Sequence, residues 1–207
     1  MAELVLAAPA ARRKQYTEPV YAPVGISNRH IHLSPEDLAV LFGQGYQLVP
    51  AKELSQPGEF AGREVVALVG PKGVIEGVRV VGPVRKESQV EISVTDSYRL
   101  GVRPPVRLSG ELDGTPGITV IGPKGLLHLS RGLIIAARHL HLPSSLAEEW
   151  GLEHGAVISA QVEGPRGVIF GEVAVRVSSR YRLELHLDTD EANGALLKTG
   201  DPVRLLL

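Results

Sequence analysis

Short apolar runs punctuated by glycine and proline fill most of this chain, and two helix-start signals interrupt them in matching places. Val24-Gly25-Ile26-Ser27-Asn28-Arg29-His30-Ile31-His32 reads as a short strand. Ser34-Pro35-Glu36-Asp37 then offers an N-cap, a proline at the first helical position and acids in the first turn. That predicts a helix over Pro35 to Phe42, stopped by Gly43. The order recurs at His139-Leu140-His141 and Pro143-Ser144-Ser145, with a helix over Leu146 to Trp150 stopped by Gly151. Gly70-Pro71-Lys72-Gly73-Val74-Ile75 matches Gly164-Pro165-Arg166-Gly167-Val168-Ile169, and Gly122-Pro123-Lys124-Gly125-Leu126 is a third instance. Each lies between β-type runs and predicts a hairpin turn. Phosphate loops also use glycine and lysine, but no helix follows here, so the turn reading wins. Val90-Glu91-Ile92-Ser93-Val94 and Leu183-Glu184-Leu185-His186-Leu187-Asp188 alternate as strands, placing Glu91 with Ser93, and Glu184 with His186 and Asp188, on single faces.

Composition agrees with this pattern. Glycine (23) and proline (15) are plentiful and aromatics are 4%, as in a β-rich protein with many tight turns. At 207 residues the chain can bury one large core or two small ones. A net charge of -1 leaves no basic footprint for nucleic acid, and no apolar run approaches the roughly eighteen residues of a membrane helix. There is no cysteine, which removes disulfides, thiolate metal sites and a cysteine nucleophile together. Met1 to Val20 puts its basic residues after its apolar stretch, the reverse of a secretory signal, and reads as an N-terminal extension.

The two histidine pairs carry the chemistry. Residues at i and i+2 on a strand point the same way, so each pair can present two imidazoles to one metal ion. A single such pair is often incidental. Two copies with matching neighbours point to metal, and the alternating strands after the turns can add a third ligand to each. With imidazole and carboxylate donors and no thiolate, zinc is the most consistent metal, with cobalt, nickel, manganese and iron as alternatives. His128 and His154 stand outside the repeat and read as ordinary histidines. Arg79, Arg85, Arg99, Arg103 and Arg107 are candidates for holding an oxyanion, and the residues alone do not choose among them. The simplest architecture is mainly β: two small β-barrel domains related by duplication, each capped by short helices, with the metal site between them.

Ser27-Asn28-Arg29-His30-Ile31-His32-Leu33-Ser34, Gly82-Pro83-Val84-Arg85, Gly114-Thr115-Pro116-Gly117-Ile118 and Ala137-Arg138-His139-Leu140-His141 resemble the PduL-type phosphate acyltransferases, or phosphate propanoyltransferases. The resemblance spans about residues 20 to 207. It implies interconversion of a short-chain acyl-CoA (acetyl- or propanoyl-CoA) plus phosphate with acyl phosphate plus CoA, at a dinuclear zinc site. By motif, His30, His32 and Glu91 hold one zinc, and His139, His141 and His186 the other. Arg85 binds phosphate, while Ser27, Lys52, Arg79 and Asn193 contact CoA. The resemblance also implies that strand 21–28 joins the second barrel, giving an extension over 1–20, a first domain over 29–136 and a second over 137–207.

Family members housed in bacterial microcompartments carry an N-terminal amphipathic targeting peptide. Here Ala7-Ala8-Pro9-Ala10 breaks the candidate helix, so the expectation is a free cytoplasmic enzyme, with the compartment lumen as the alternative and no shell partner. Family habit suggests a homo-oligomer; nucleic acid and membrane are not expected partners. A zinc-dependent ester or thioester hydrolase and a non-enzymatic cupin-like metal-binding module are the rival readings.

Overall fold

A computed structural model of the chain describes residues 19–207; residues 1–18, most of the expected extension, lie outside the described residues. The run carrying the first histidine pair folds as two strands, β1 (Val20–Ser27) and β2 (His30–His32), in different sheets. Asn28 makes the break. Its side-chain oxygen accepts from the Arg29 N–H at 2.8 Å, and its carbonyl accepts from His30 Nδ1 at 2.8 Å. The chain continues through α1 (Pro35–Phe42), β3 (Pro50–Glu53), β4 (Phe60–Val69), β5 (Val74–Gly82), β6 (Gln89–Glu91), α2 (Val94–Leu100), β7 (Val106–Arg107), β8 (Ile118–Ile121) and β9 (Leu126–Leu129). It ends with β10 (Leu133–Ala136), β11 (His139–Leu142), α3 (Ser144–Trp150), β12 (Val157–Val162), β13 (Val168–Val177), β14 (Glu184–Asp188), α4 (Thr189–Gly194) and β15 (Pro202–Leu206).

The strands form a closed barrel in the order β1-β14-β11-β13-β12-β15 and a nine-stranded sheet in the order β7-β10-β6-β2-β5-β4-β8-β9, with β3 on β4. The duplication is visible in the pairing. β2 lies antiparallel to β6 and parallel to β5, as β11 does to β14 and β13. Each sheet takes in the strand that precedes the other's histidine pair: β1 runs parallel to β14, and β10 parallel to β6. In the barrel, β1 also pairs with β15 and closes the ring. In the larger sheet, β10 pairs onward with β7, and β8 with β9, so the two ends never meet and this sheet stays open.

Two apolar cores follow. Leu140, Leu142, Val175, Leu185 and Leu187 fill the barrel, and Ile31, Leu33, Leu68, Val80 and Val90 pack in the sheet. The histidines alternate with these residues and therefore leave each core on its outer face.

α1 has the predicted bounds, with Ser34 accepting from the Asp37 N–H at 3.1 Å and Gly43 at its end. α3 begins two residues before the predicted start, behind Pro143, which offers no side-chain cap. The strand expected over Val90–Val94 stops at Glu91. Ser93 is instead the N-cap of α2, in a reciprocal capping box with Asp96, and so does not share a strand face with Glu91. Asp188 and Glu191 form the same box at α4. All three Gly-Pro-Lys/Arg-Gly segments are hairpin turns, joining β4–β5, β8–β9 and β12–β13. Two of them also dock on helix ends: the N–H groups of Lys72 and Lys124 donate to the carbonyls of Leu100 and Leu41, each at 3.0 Å.

Candidate metal centre

Antiparallel register builds each half of the site. On β2 and β6, His30 stands opposite Glu91 and His32 opposite Gln89. On β11 and β14, His139 stands opposite His186 and His141 opposite Glu184. Directly opposed residues share a face, so each half presents a patch of four polar side chains. Within these patches the ligand atoms of His30, His32 and Glu91 lie within 4.8 Å of one another, as do those of His139, His141 and His186.

Backbone carbonyls fix the imidazole tautomers. Nδ1–H of His30 donates to Asn28 and that of His139 to Ala137 (2.9 Å), in each case the carbonyl two residues back; His32 donates to Val81 (3.1 Å). A carbonyl only accepts, so the remaining lone pair of each neutral ring sits on Nε2, as a metal requires. Nε2 of His139 and Nε2 of His141 approach to 3.1 Å, and the buried Nδ1 of His141 has no partner among the described residues. These features fit a cation shared by the rings.

Electrostatics separates the two patches. Burial lowers the pKa of His139 to about 4 and of His141 to about 2, with the neighbouring His186 adding to both shifts. Burial likewise holds His32 well below the ordinary histidine range, assisted by His30. For Glu91, burial pushes the carboxyl up, but His30, His139 and Arg85 together hold it below the ordinary range. His139 comes from the opposite half, so the patches face each other. Glu184 is also buried, yet its pKa is about 2, because hydrogen bonds from His186, Ser55 and Gln56 outweigh desolvation. Ser55 and Gln56 belong to the first half and clamp the second. Gly25 makes room for this carboxylate: a Cβ there would lie 2.7 Å from the Glu184 carboxyl carbon.

Arg85 follows β5 and is anchored by its own N–H to the Leu33 carbonyl (2.9 Å), and its Nη1 donates to Ser109 Oγ at 2.9 Å. Ser109 also receives Gln89 Nε2 at 2.8 Å, linking the arginine to the Glu91 patch. Arg79 stands beside His30 in register and donates Nη1 to the carbonyls of Gly62 and Arg63, both at 3.1 Å. Ser27 ends β1 opposite Asp188, two residues from the Gly25–His186 pair. Asn193 is exposed in α4, directly after β14, and Lys52 is exposed on β3, three strands from β2. His128 pairs with Thr119 (3.0 Å) and His154 accepts from the Val177 N–H (3.2 Å), both away from the patches.

Sequence reasoning did not single out Gln89, Ser109, Arg176 or Tyr181. Arg176 stands beside His141 in the β11–β13 register, and the Tyr181 ring packs edge-on against His141, centroids 4.4 Å apart. No local signal marks these residues, because their neighbours are set by pairing between distant strands.

Comparison with known proteins assigns the chain a family. The phosphate propanoyltransferase family model matches residues 23–198. A phosphate propanoyltransferase of Thermotoga maritima is 58% identical over 184 residues, 88% of either chain. Those of Rhodopseudomonas palustris and Salmonella typhimurium are 47% and 50% identical, over 91% and 84% of this chain and 83% and 82% of their own. The chain belongs to the phosphate propanoyltransferase family.

Proposed function

We propose that this protein interconverts a short-chain acyl-CoA plus phosphate with acyl phosphate plus CoA, using two zinc ions and direct attack of phosphate on the thioester. The observation that carries the reading is the pair of facing polar patches, each with three donors within 4.8 Å, beside a half-buried arginine. His30, His32 and Glu91 hold one ion, and His139, His141 and His186 the other; imidazole and carboxylate without thiolate is a donor set that suits zinc. Zinc held there supplies Lewis-acid polarisation of a carbonyl and a soft acceptor for a thiolate.

The protein's own groups do the rest. The carbonyls of Asn28, Val81 and Ala137 hold three imidazoles in the ligating tautomer. Arg85, fixed by Ser109, presents its guanidinium to the phosphate and orients it toward the thioester carbon. Ser27 at the end of β1, Arg79 beside His30, Asn193 in α4 and Lys52 on β3 are the CoA contacts in this proposal. No cysteine is available for a thioester acyl-enzyme, which favours a ternary complex. Acetyl and propanoyl differ by one methylene, worth about 1–3 kcal/mol in a pocket, so both are substrates in this proposal. No helix among the described residues is long and apolar enough to cross a membrane. We place the enzyme free in the cytoplasm because Ala7-Ala8-Pro9-Ala10 interrupts the candidate targeting helix.

The test is CoA release from acetyl-CoA by metal-loaded protein, with and without phosphate. Release that requires phosphate and yields acetyl phosphate is the expected result. Release without phosphate would make the protein a thioester hydrolase, and no release from acetyl- or propanoyl-CoA would favour a metal-binding module.

A further inference from the structure

Arg176 reaches the metal-binding face from the barrel half. On β13, Val173 and Val175 are buried in the barrel core, so Ala174 and Arg176 take the opposite face. Their register partners on β11 are His139 and His141. Arg176 therefore sits beside the second imidazole of the pair, half-buried, in a row with His141 and Glu184.

Among the described residues Arg176 makes no ion pair. Its charge acts on His139, His141 and, across the two halves, on Arg85, whose own charge is opposed by burial. Tyr181, packed on His141, is a further neighbour of Arg85. Two half-buried guanidiniums whose charges act on one another repel, and an oxyanion bound by both relieves that repulsion while accepting charge-assisted hydrogen bonds from each. Arg85 leaves donors for this role after meeting Ser109 and Glu59.

We infer that Arg176 is a second phosphate-binding residue, holding from the barrel half the same phosphoryl group that Arg85 holds from the open-sheet half. The inference rests on the acyl-phosphate reading above. It makes the phosphate site a product of both halves, so that phosphate bridges them.

Steady-state kinetics on metal-loaded protein tests it, with inorganic phosphate and acetyl-CoA varied separately. Arg176→Gln is expected to raise the KM for phosphate about 10- to 100-fold. The KM for acetyl-CoA and the metal content stay unchanged, and Arg176→Lys recovers part of the loss. Calorimetric titration with phosphate alone should rank the variants in the same order without turnover. An unchanged phosphate KM and affinity in Arg176→Gln overturns the inference. A rise confined to the acetyl-CoA KM, or loss of metal, overturns it as well, giving Arg176 a CoA-binding or structural role. Wild-type protein that releases CoA without phosphate would sink the acyltransferase reading itself. Wild-type dependence on phosphate, with an effect of Arg85→Ala but none of Arg176→Gln, would sink only this inference.

Discussion

The open-sheet half and the barrel half present the same four-residue patch in the same register, but they exchange its acid. In the first, the carboxylate is Glu91, opposite the leading histidine, and an amide, Gln89, stands two residues before it. In the second, His186 occupies the leading position and the carboxylate, Glu184, stands two residues before it. The first patch carries its negative charge on one of its candidate metal donors, balanced by Arg85 and by Ser109. The second gathers three imidazoles, whose mutual proximity and burial keep His139 and His141 neutral, and places its acid beside them. One pairing scheme thus yields one patch with a carboxylate among its candidate donors and one with three imidazoles there.

The largest expected effect comes from removing a leading histidine. His139→Ala and His30→Ala should each abolish turnover and lower bound metal by about one ion per chain, measured by metal analysis after dialysis. The comparison requires the losses to be separate. If either variant empties both sites, the patches act as one unit; if either keeps full metal and full activity, that half has been assigned wrongly.

Glu184 sharpens the contrast, because its counterpart in the first half is an amide. Glu184→Gln restores chemical parity between the patches and weakens the clamp from Ser55 and Gln56, whose donors keep an acceptor but lose its charge. Metal affinity of the barrel site should fall roughly 10- to 100-fold, with the open-sheet site unaffected, as read by chelator competition. Equal loss at both sites would show that Glu184 serves the whole interface and not one patch.

Gly25→Ala reaches the same carboxylate from behind, since the new methyl would lie 2.7 Å from its carbon. The equivalent neighbour of Glu91 is Ile134, a full-sized side chain, so only the barrel half has this constraint. Overpacking of this kind costs about 1–3 kcal/mol, visible as a lower denaturation midpoint. In a Glu184→Ala background the methyl has room, and the penalty should disappear.

Local order was legible where local chemistry decides it. Ser34-Pro35 and Gly43 bound α1, and the Gly-Pro-Lys/Arg-Gly segments turn as their residues dictate. The histidine pairs were legible because alternation places side chains on faces without knowledge of the partners; alternation offered Glu184, His186 and Asp188 alike as a third donor, and the choice of Glu91 and His186 came from the family resemblance. The short helices α2 and α4 were not, because six or seven residues give too little periodicity, and their capping boxes, Ser93 with Asp96 and Asp188 with Glu191, overlap an alternating strand pattern. Arg176 was illegible for another reason: alternation shows that it leaves the core, but only the β11–β13 register shows that it emerges beside His141. The open edge of the first sheet likewise depends on β7 and β9, whose sequences are too short to announce where they pair.

The smallest expected effect concerns acid stability of the metal-free protein. His139 has a pKa of about 4 when folded and the ordinary 6.5 when unfolded, so the unfolded chain takes its proton first as pH falls. Its contribution to stability is complete above about pH 6.5 and is lost on acidification toward pH 4. His141, at about 2, extends that loss to lower pH, and Glu184, also about 2 against an ordinary 4.5, adds its own below pH 4.5. Urea midpoints in the presence of a chelator should therefore decline between pH 6.5 and 4.5, less steeply in His141→Gln. A flat profile over that range would mean that His139 and His141 protonate freely inside the fold, and that burial does not hold these two rings neutral. Bound metal should raise the midpoints and steepen their decline on acidification, because an ion on the lone pairs keeps protons off the folded chain while the unfolded chain still takes them.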